Sequence, residues 1–352
     1  MAYFVFYSST TRGKRGNETH TSLSVEDSKP SKRLRRGTKS GTQSRVPLSE
    51  LRRYRDLWFS DGTIILAAGN MCFKVHRSQL ARFSTVFEDM LGVPSGGPDE
   101  ELIEDVVVVR MHDDAKDLTN FLSALCNSWS FDFDTLAPQN FPAIAGVMRL
   151  ATKYDCSVLR SRICKTLNAR YLSPPGKVHS FELDRVPHAS VINLARECDI
   201  PEVLPSCFYQ LAFFGDGLDR GRIGTLAPTD RRRLKKGKDA VLRRLSRLLS
   251  EGMPNQVCPI AVSKRSKCIT FLNTYWKTCV VAEGKPKGPV QEEPMEALSN
   301  LCSPKVVDAA RGMVSLSERD DPLCKACKSQ FNRDMQKIIH AIWNNLVVDF
   351  GL

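Results

Sequence analysis

A mixed α/β unit followed by a mainly α-helical C-terminal region, with a disordered basic arm ahead of both, is the fold class that this 352-residue sequence predicts. Three observations carry the prediction. Short β-rich runs broken by Asp-Gly and Gly-Asn turns crowd residues 56–76, apolar stripes at three- and four-residue spacing dominate from Arg77 onward, and residues 9–50 are rich in Ser, Thr, Gly, Lys and Arg. A hydrophobic content of 42% over this length suits two or three domains, and the expected divisions are 1–50, 51–172, 187–250 and 251–352.

The arm holds almost no large apolar side chain before Val46, so it buries too little surface to offset the entropy of ordering the chain. Within it Lys32-Arg33-Leu34-Arg35-Arg36 follows Pro30 and has the form of a basic nuclear-import peptide, although a plain solubilising arm has the same composition.

Order is expected from Leu51. The run Asp56-Leu57-Trp58-Phe59, the turn Ser60-Asp61-Gly62, the run Thr63 to Ala67, the turn Gly69-Asn70 and the run Cys72-Phe73-Lys74-Val75-His76 read as consecutive hairpins. One helix is predicted over Arg77 to Leu91, with Leu80, Phe83, Val86, Phe87 and Met90 as its apolar stripe. Pro94-Ser-Gly-Gly-Pro98 is a loop, and the β-branched run Asp105 to Met111 is a buried strand. Three amphipathic helices follow. The first is capped by Asp113 or Asp114 and carries Leu118, Phe121, Leu122 and Leu125; the second starts at Phe141 with Pro142 in its first turn; the third runs from Cys156 to Tyr171. Together these make a small three-strand sheet with a helical cluster.

Beyond residue 187 the pattern is helical. Val191, Leu194, Ala195 and Cys198, then Val203, Leu204, Cys207, Phe208, Leu211 and Phe214, form a helical pair broken at Ile200-Pro201. Thr229 or Asp230 caps a basic helix to Leu249 with Leu234, Val241, Leu242, Leu245, Leu248 and Leu249 on one side. Residues 284–294 read as an exposed loop, and a last helix is predicted from Phe331 to Leu346.

The net charge of +12 is unevenly spread. Residues 9–50 hold ten basic and four acidic side chains and residues 220–247 eleven and two, whereas 56–171 hold eleven and fifteen. The positive field therefore sits on the arm and one helix, and net charge alone does not make a nucleic-acid binder. The basic helix contains no aromatic residue for base stacking, so any nucleic-acid contact by it would be electrostatic and sequence-blind. No apolar run approaches the roughly 18 residues of a membrane helix, and Ala2 to Tyr7 is too short for a secretory signal. The expected compartment is the nucleus or cytoplasm, where cysteines are thiols or metal ligands.

The run Phe73-Lys-Val-His76-Arg77-Ser-Gln-Leu80-Ala-Arg-Phe-Ser84-Thr-Val-Phe87-Glu-Asp-Met90 resembles the central signature of BTB/POZ domains, and Asp56 and Asp61-Gly62 fit the strands ahead of it. In detail the chain is similar to fungal BTB proteins, whose domain is followed by a helical region ending in a Cys-x-x-Cys and a Trp; Cys324-Lys-Ala-Cys327, Trp343 and Phe350-Gly351-Leu352 fit that tail. The resemblance implies a BTB/POZ domain at 51–172, a BACK-like helical region at 187–250 and a protein-interaction role. In several branches that role is homodimerisation, linkage of a substrate to a cullin-type ubiquitin-ligase scaffold, or recruitment of transcriptional repressors. It places Asp56 and Arg77 at a charged groove of a dimer interface and His76 between strand and helix. Many dimerising relatives have a further helix and strand ahead of the first core strand; here that place holds only Leu51-Arg-Arg-Tyr-Arg55. On residue chemistry alone, Asp56 equally caps a turn and Arg77 sits at the surface of a first helical turn. The contact residues expected are Asp56, His76, Arg77, Phe87, Met90, Leu118 and Phe121.

Twelve cysteines raise the question of metal. Cys324 and Cys327 have the spacing at which two thiolates hold one tetrahedral ion, beside Lys325 and Lys328, which favour thiolate. Cys258 and Cys268 are the best candidates to complete the shell, with Cys279 and Cys302 in reserve. A two-Cys, two-His finger fails, because His340 has no second histidine after it. Buried thiols are the alternative, so no cofactor other than a structural zinc ion is expected. Gly-x-Ser-x-Gly, a phosphate-binding Gly-rich loop and His-Glu-x-x-His are all missing. The chain is accordingly expected to be a non-enzymatic adaptor whose partner is a protein. The rival is a nuclear, chromatin-associated regulator that uses the arm and the basic helix.

Overall fold

The computed structural model describes residues 46–92, 100–127, 131–172, 186–214, 223–250, 262–276 and 323–352, with short pieces between 280 and 294. The arm with Lys32, Arg33, Arg35 and Arg36, the loop at 94–98 and Cys258, Cys279 and Cys302 lie outside the described residues.

The N-terminal half is a mixed α/β unit built on a five-stranded sheet in the order β1-β3-β2-β5-β4. The strands are β1 (Arg52–Trp58), β2 (Ile64–Ala68), β3 (Met71–Val75), β4 (Leu102–Ile103) and β5 (Val106–Arg110). The hairpin β2–β3 forms as predicted, with Leu66 opposite Phe73 and Ala67 opposite Cys72. The first run does not form a hairpin with β2. Instead β1 lies parallel to β3, on its other side. The turn at 60–62 straddles the end of β3: Phe59 N–H donates to the Lys74 carbonyl at 2.9 Å and Thr63 N–H to the Val75 carbonyl at 2.9 Å. Glycine is required there, since a Cβ on Gly62 would come within 2.8 Å of Lys74 Cγ and 3.0 Å of its backbone carbon.

Every residue of β2 is buried, as befits a central strand covered on both faces. Ile64, Leu66, Phe73 and Val75 face the helices, while Ile65, Ala67, Cys72 and Val108 form a smaller cluster on the other face under Leu48, Leu51, Trp58 and Ile103. The sheet has five strands rather than three because β1 is added to β3 at one edge and Leu102–Ile103 to β5 at the other, the latter pairing antiparallel through the two-residue turn Glu104-Asp105. Both turn residues have positive φ, 51° and 58°, as a primed hairpin turn demands.

The predicted helix at 77–91 is two helices, α1 (Arg77–Phe83) and α2 (Thr85–Gly92). They part at Ser84, whose backbone is extended and whose hydroxyl donates to the Tyr154 carbonyl while accepting from Phe87 N–H. Three helices follow, α3 (Ala115–Cys126), α4 (Phe141–Lys153) and α5 (Ser157–Tyr171); α3 packs on β1 and β2, α4 on α3, and α5 on α4. Asp114 is the cap of α3, accepting from the backbone N–H of Lys116 and Asp117 at 2.9 and 3.0 Å.

The helical part comprises α6 (His188–Glu197), α7 (Leu204–Phe214), α8 (Pro228–Ser250), α9 (Val262–Tyr275), α10 (Lys325–Trp343) and α11 (Leu346–Phe350), with a short strand pair, Val281–Ala282 and Lys285–Pro286. That pair enters the stretch read as an exposed loop at 284–294. Two helix starts differ from expectation. α8 begins at Pro228, and Asp230 is a buried residue inside its first turn, held by Arg196 and Arg233 at 3.0 Å each. α10 begins at Lys325, which puts the Cys-x-x-Cys at the helix head. The core is continuous from the sheet to Phe350. It is tied across the join by Arg160, which donates to the carbonyl of Cys198 at 2.8 Å, and by Arg149 with Glu197 at 2.7 Å.

Candidate functional site

The seven residues expected at a contact separate by burial. Phe87, Leu118 and Phe121 are wholly buried. Phe87 stacks on Tyr154 at 4.5 Å between centroids and on Phe121 at 6.4 Å. A direct contact role for these three is therefore corrected to a core role: they sit in the shared hydrophobic core, and burying each side chain contributes about 1.5–3 kcal/mol to folding. Met90, one turn on from Phe87, is exposed at the edge of the same face of α2. Asp56 is exposed on β1. Arg77 donates its guanidinium to the Leu91 carbonyl and its backbone N–H to Thr63 Oγ1 at 2.9 Å, so it clamps the two ends of the α1–α2 pair. Among the described residues no ion pair joins Asp56 to Arg77. His76 is half-buried, its ring stacked on Phe59 at 5.4 Å and its Nε2 3.6 Å from Asp61.

Three apolar side chains on α2 and α5 are exposed. Val86 and Met90, one turn apart on α2, are 38% and 37% exposed, and Val158 at the start of α5 is 58% exposed. The Ser84 bond to Tyr154 and the Thr85 hydroxyl bond to Asp155 at 2.8 Å fix these helix ends side by side. Beside them runs a groove of about 680 Å³ lined by Phe83, Leu125, Phe133, Val158, Arg162 and Lys165. Its wall is stiffened by Arg162, whose guanidinium lies 4.4 Å from the centre of the Phe133 ring. Sequence periodicity placed Val86 and Met90 in the apolar stripe of this segment, yet both are left partly exposed, and it did not single out Val158, which immediately precedes the buried Leu159.

A second hollow, of about 650 Å³, gathers His112, Asp113, Asp114, Asp117 and Glu197 with Arg149 and Lys153. These acids do not converge on one point, since each has a structural partner. Asp113 accepts from Lys153 at 2.5 Å and from the Tyr154 hydroxyl, Asp114 caps α3, and Asp117 and Glu197 share Arg149. Burial, reinforced by Asp113, pushes the Tyr154 phenol well above its ordinary value, and burial raises Asp117 against the pull of Arg149. The arrangement is a set of cross-braces between α3, α4 and α6.

The thiols expected at a metal site are partly brought together. The ligand atoms of Cys268, Cys324 and Cys327 all lie within 4.8 Å of one another, with Cys268 and Cys327 buried. Cys324 is the N-cap of α10, its sulfur accepting from Cys327 N–H at 3.5 Å, and Cys268 Sγ accepts from Cys324 N–H at 3.4 Å. Elsewhere burial raises the thiols, pushing Cys126 up to about 11.

The basic helix α8 divides its charge. Arg244 grips Asp349 with two nitrogens at 2.8 and 2.9 Å, Arg233 reaches the Gly351 carbonyl and Lys238 the Ala212 carbonyl. Arg231, Arg232, Lys235 and Lys236 are exposed together on one ridge. Set beside known proteins, the chain matches no family model and no curated protein.

Proposed function

We propose that the chain is a non-enzymatic adaptor of the BTB/POZ kind, whose α/β unit docks a second protein while the helical part holds another. The observation that carries this reading is a set of exposed apolar side chains, Val86 and Met90 on α2 and Val158 at the mouth of the groove lined by Phe83 and Phe133. The run from Phe73 to Met90 supports it, because the residues that resemble the BTB signature build the β3–α1–α2 segment that presents Val86 and Met90. The binding energy comes from removing those apolar side chains from water, and charges such as Asp56, Arg162 and Lys165 set the register. The partner is a second copy of the chain or a cullin-type scaffold, in the nucleus or cytoplasm.

Retention of a cullin N-terminal domain by the immobilised full chain, lost on Val86→Asp with Met90→Asp, tests the scaffold arm; concentration-dependent sedimentation tests self-association. A chain that retains no cullin and stays monomeric at micromolar concentration removes the reading. The exposed ridge Arg231, Arg232, Lys235 and Lys236 favours one rival, a chromatin-associated regulator that contacts phosphates. That rival requires DNA binding at near-physiological salt with a steep inverse salt dependence, and undetectable binding there dismisses it.

A further inference from the structure

We infer that Cys268, Cys324 and Cys327 are ligands of a single zinc ion that staples α9 to the head of α10. Three sulfurs bound at about 2.3 Å to a tetrahedral ion stand roughly 3.8 Å apart, so a cluster already within 4.8 Å closes on the ion with sub-ångström shifts. Packing of small apolar groups accounts for three neighbouring sulfurs, but not for what is aimed at them. The backbone N–H of Cys327 donates to Cys324 Sγ and that of Cys324 to Cys268 Sγ, and such donors favour thiolate over thiol. Cys324 also occupies the N-cap of a 19-residue helix, where the helix dipole stabilises negative charge, and Lys325 and Lys328 follow it directly.

The surroundings fit a structural ion. Leu323, Phe271, Leu272 and Phe331 are buried around the cluster's two helices, and Phe331 meets Tyr275 and Trp276 edge-on at 6.2 and 6.4 Å. Cys268 and Cys324 stand 56 residues apart in sequence, so one ion closes a long stretch of chain. Soft thiolates select zinc over magnesium or calcium. A water or one further donor completes the tetrahedron. Binding releases the thiol protons, so affinity rises with pH.

The test is metal analysis of the untagged full chain purified under reducing conditions without chelator. The expected result is about one zinc per chain for the wild type and for Cys126→Ser and Cys164→Ser, with at least a ~5-fold lower content for Cys268→Ser and Cys324→Ser. Cobalt(II) added to the chelator-stripped wild type keeps the proposal falsifiable if the serine variants fold poorly: thiolate-to-cobalt absorption in the near ultraviolet, bleached by zinc, supports it. Zinc below about a tenth per chain together with no such absorption overturns it. So does full zinc retention in folded Cys268→Ser and Cys324→Ser, or a disulfide among the three cysteines found by mass spectrometry in the reduced preparation.

Discussion

Gly237 lies directly against the ring of Phe350, and a methyl group on the glycine would overlap the aromatic carbons. The contact explains a glycine in the middle of the 23-residue basic helix, where it would otherwise weaken the helix by about 1 kcal/mol relative to alanine. It lets α11 settle on α8, with Phe350 also 5.5 Å from Phe208. The sign of the usual substitution is therefore reversed. Gly237→Ala is expected to destabilise the protein by about 1–3 kcal/mol, because overpacking outweighs the gain in helix propensity. Gly92→Ala, with open space around it, is expected to stay within about 0.5 kcal/mol of wild type in the same urea titration.

The same junction is held electrostatically. Asp349 is 4% exposed and takes both arms of Arg244. Asp349→Ala leaves a half-buried guanidinium without its carboxylate, and a loss of about 1.5–3 kcal/mol is expected. A double-mutant cycle with Arg244→Ala should recover part of that loss, and full additivity would show that the pair is not coupled.

A pH-dependent contribution is expected from Glu104. Its carboxyl sits between Lys74, 3.2 Å away and almost wholly buried, and Arg53 at 2.6 Å. The hydrogen bond from Lys74 is the main cause that holds Glu104 below the usual carboxylate value of 4.5, with Arg53 adding to it. An acid whose folded value is depressed favours the folded state above its unfolded value, and that contribution is lost as pH falls through the folded value. Acid titration of Glu104→Gln should thus show a shallower fall in stability below about pH 4.5 than wild type, with the two curves converging at the acid end. Parallel curves would contradict the assignment.

The buried and exposed residues of α2 should respond differently. Phe87→Ala empties a core position and should cost about 3–5 kcal/mol. Val86→Asp and Met90→Asp change exposed residues and should shift stability by no more than about 0.5 kcal/mol each while abolishing partner retention. Thermal melting beside a binding assay separates the two outcomes.

Much of this was legible in the sequence where short-range chemistry decides. The hairpin at 64–75 announced itself through Gly69-Asn70, the cap at Asp114 through its place before an apolar stripe, and Cys324 with Cys327 through ligand spacing, whereas Cys268 was one of four further cysteines offered and only the fold sets it beside them. What long-range contacts decide was not legible. Nothing local in 52–58 says that the strand joins β3 in parallel, and the break at Ser84 depends on a carbonyl 70 residues away. Periodicity likewise gave Phe87, Leu118 and Phe121 a common character without saying that they are buried in one core with Tyr154. The exposed apolar residues were hidden for the same reason, since Val158 differs from a core valine only in where α5 docks.

The claim on which the rest depends is that the α/β unit works by contact with another protein. Sedimentation velocity of the full 39.5 kDa chain at micromolar concentration, alone and with an equimolar cullin N-terminal domain, tests it most directly. The expected result is a species heavier than the monomer in at least one of the two runs, returned to the monomer by Val86→Asp with Met90→Asp. A chain that sediments as a lone monomer in both runs would contradict the account.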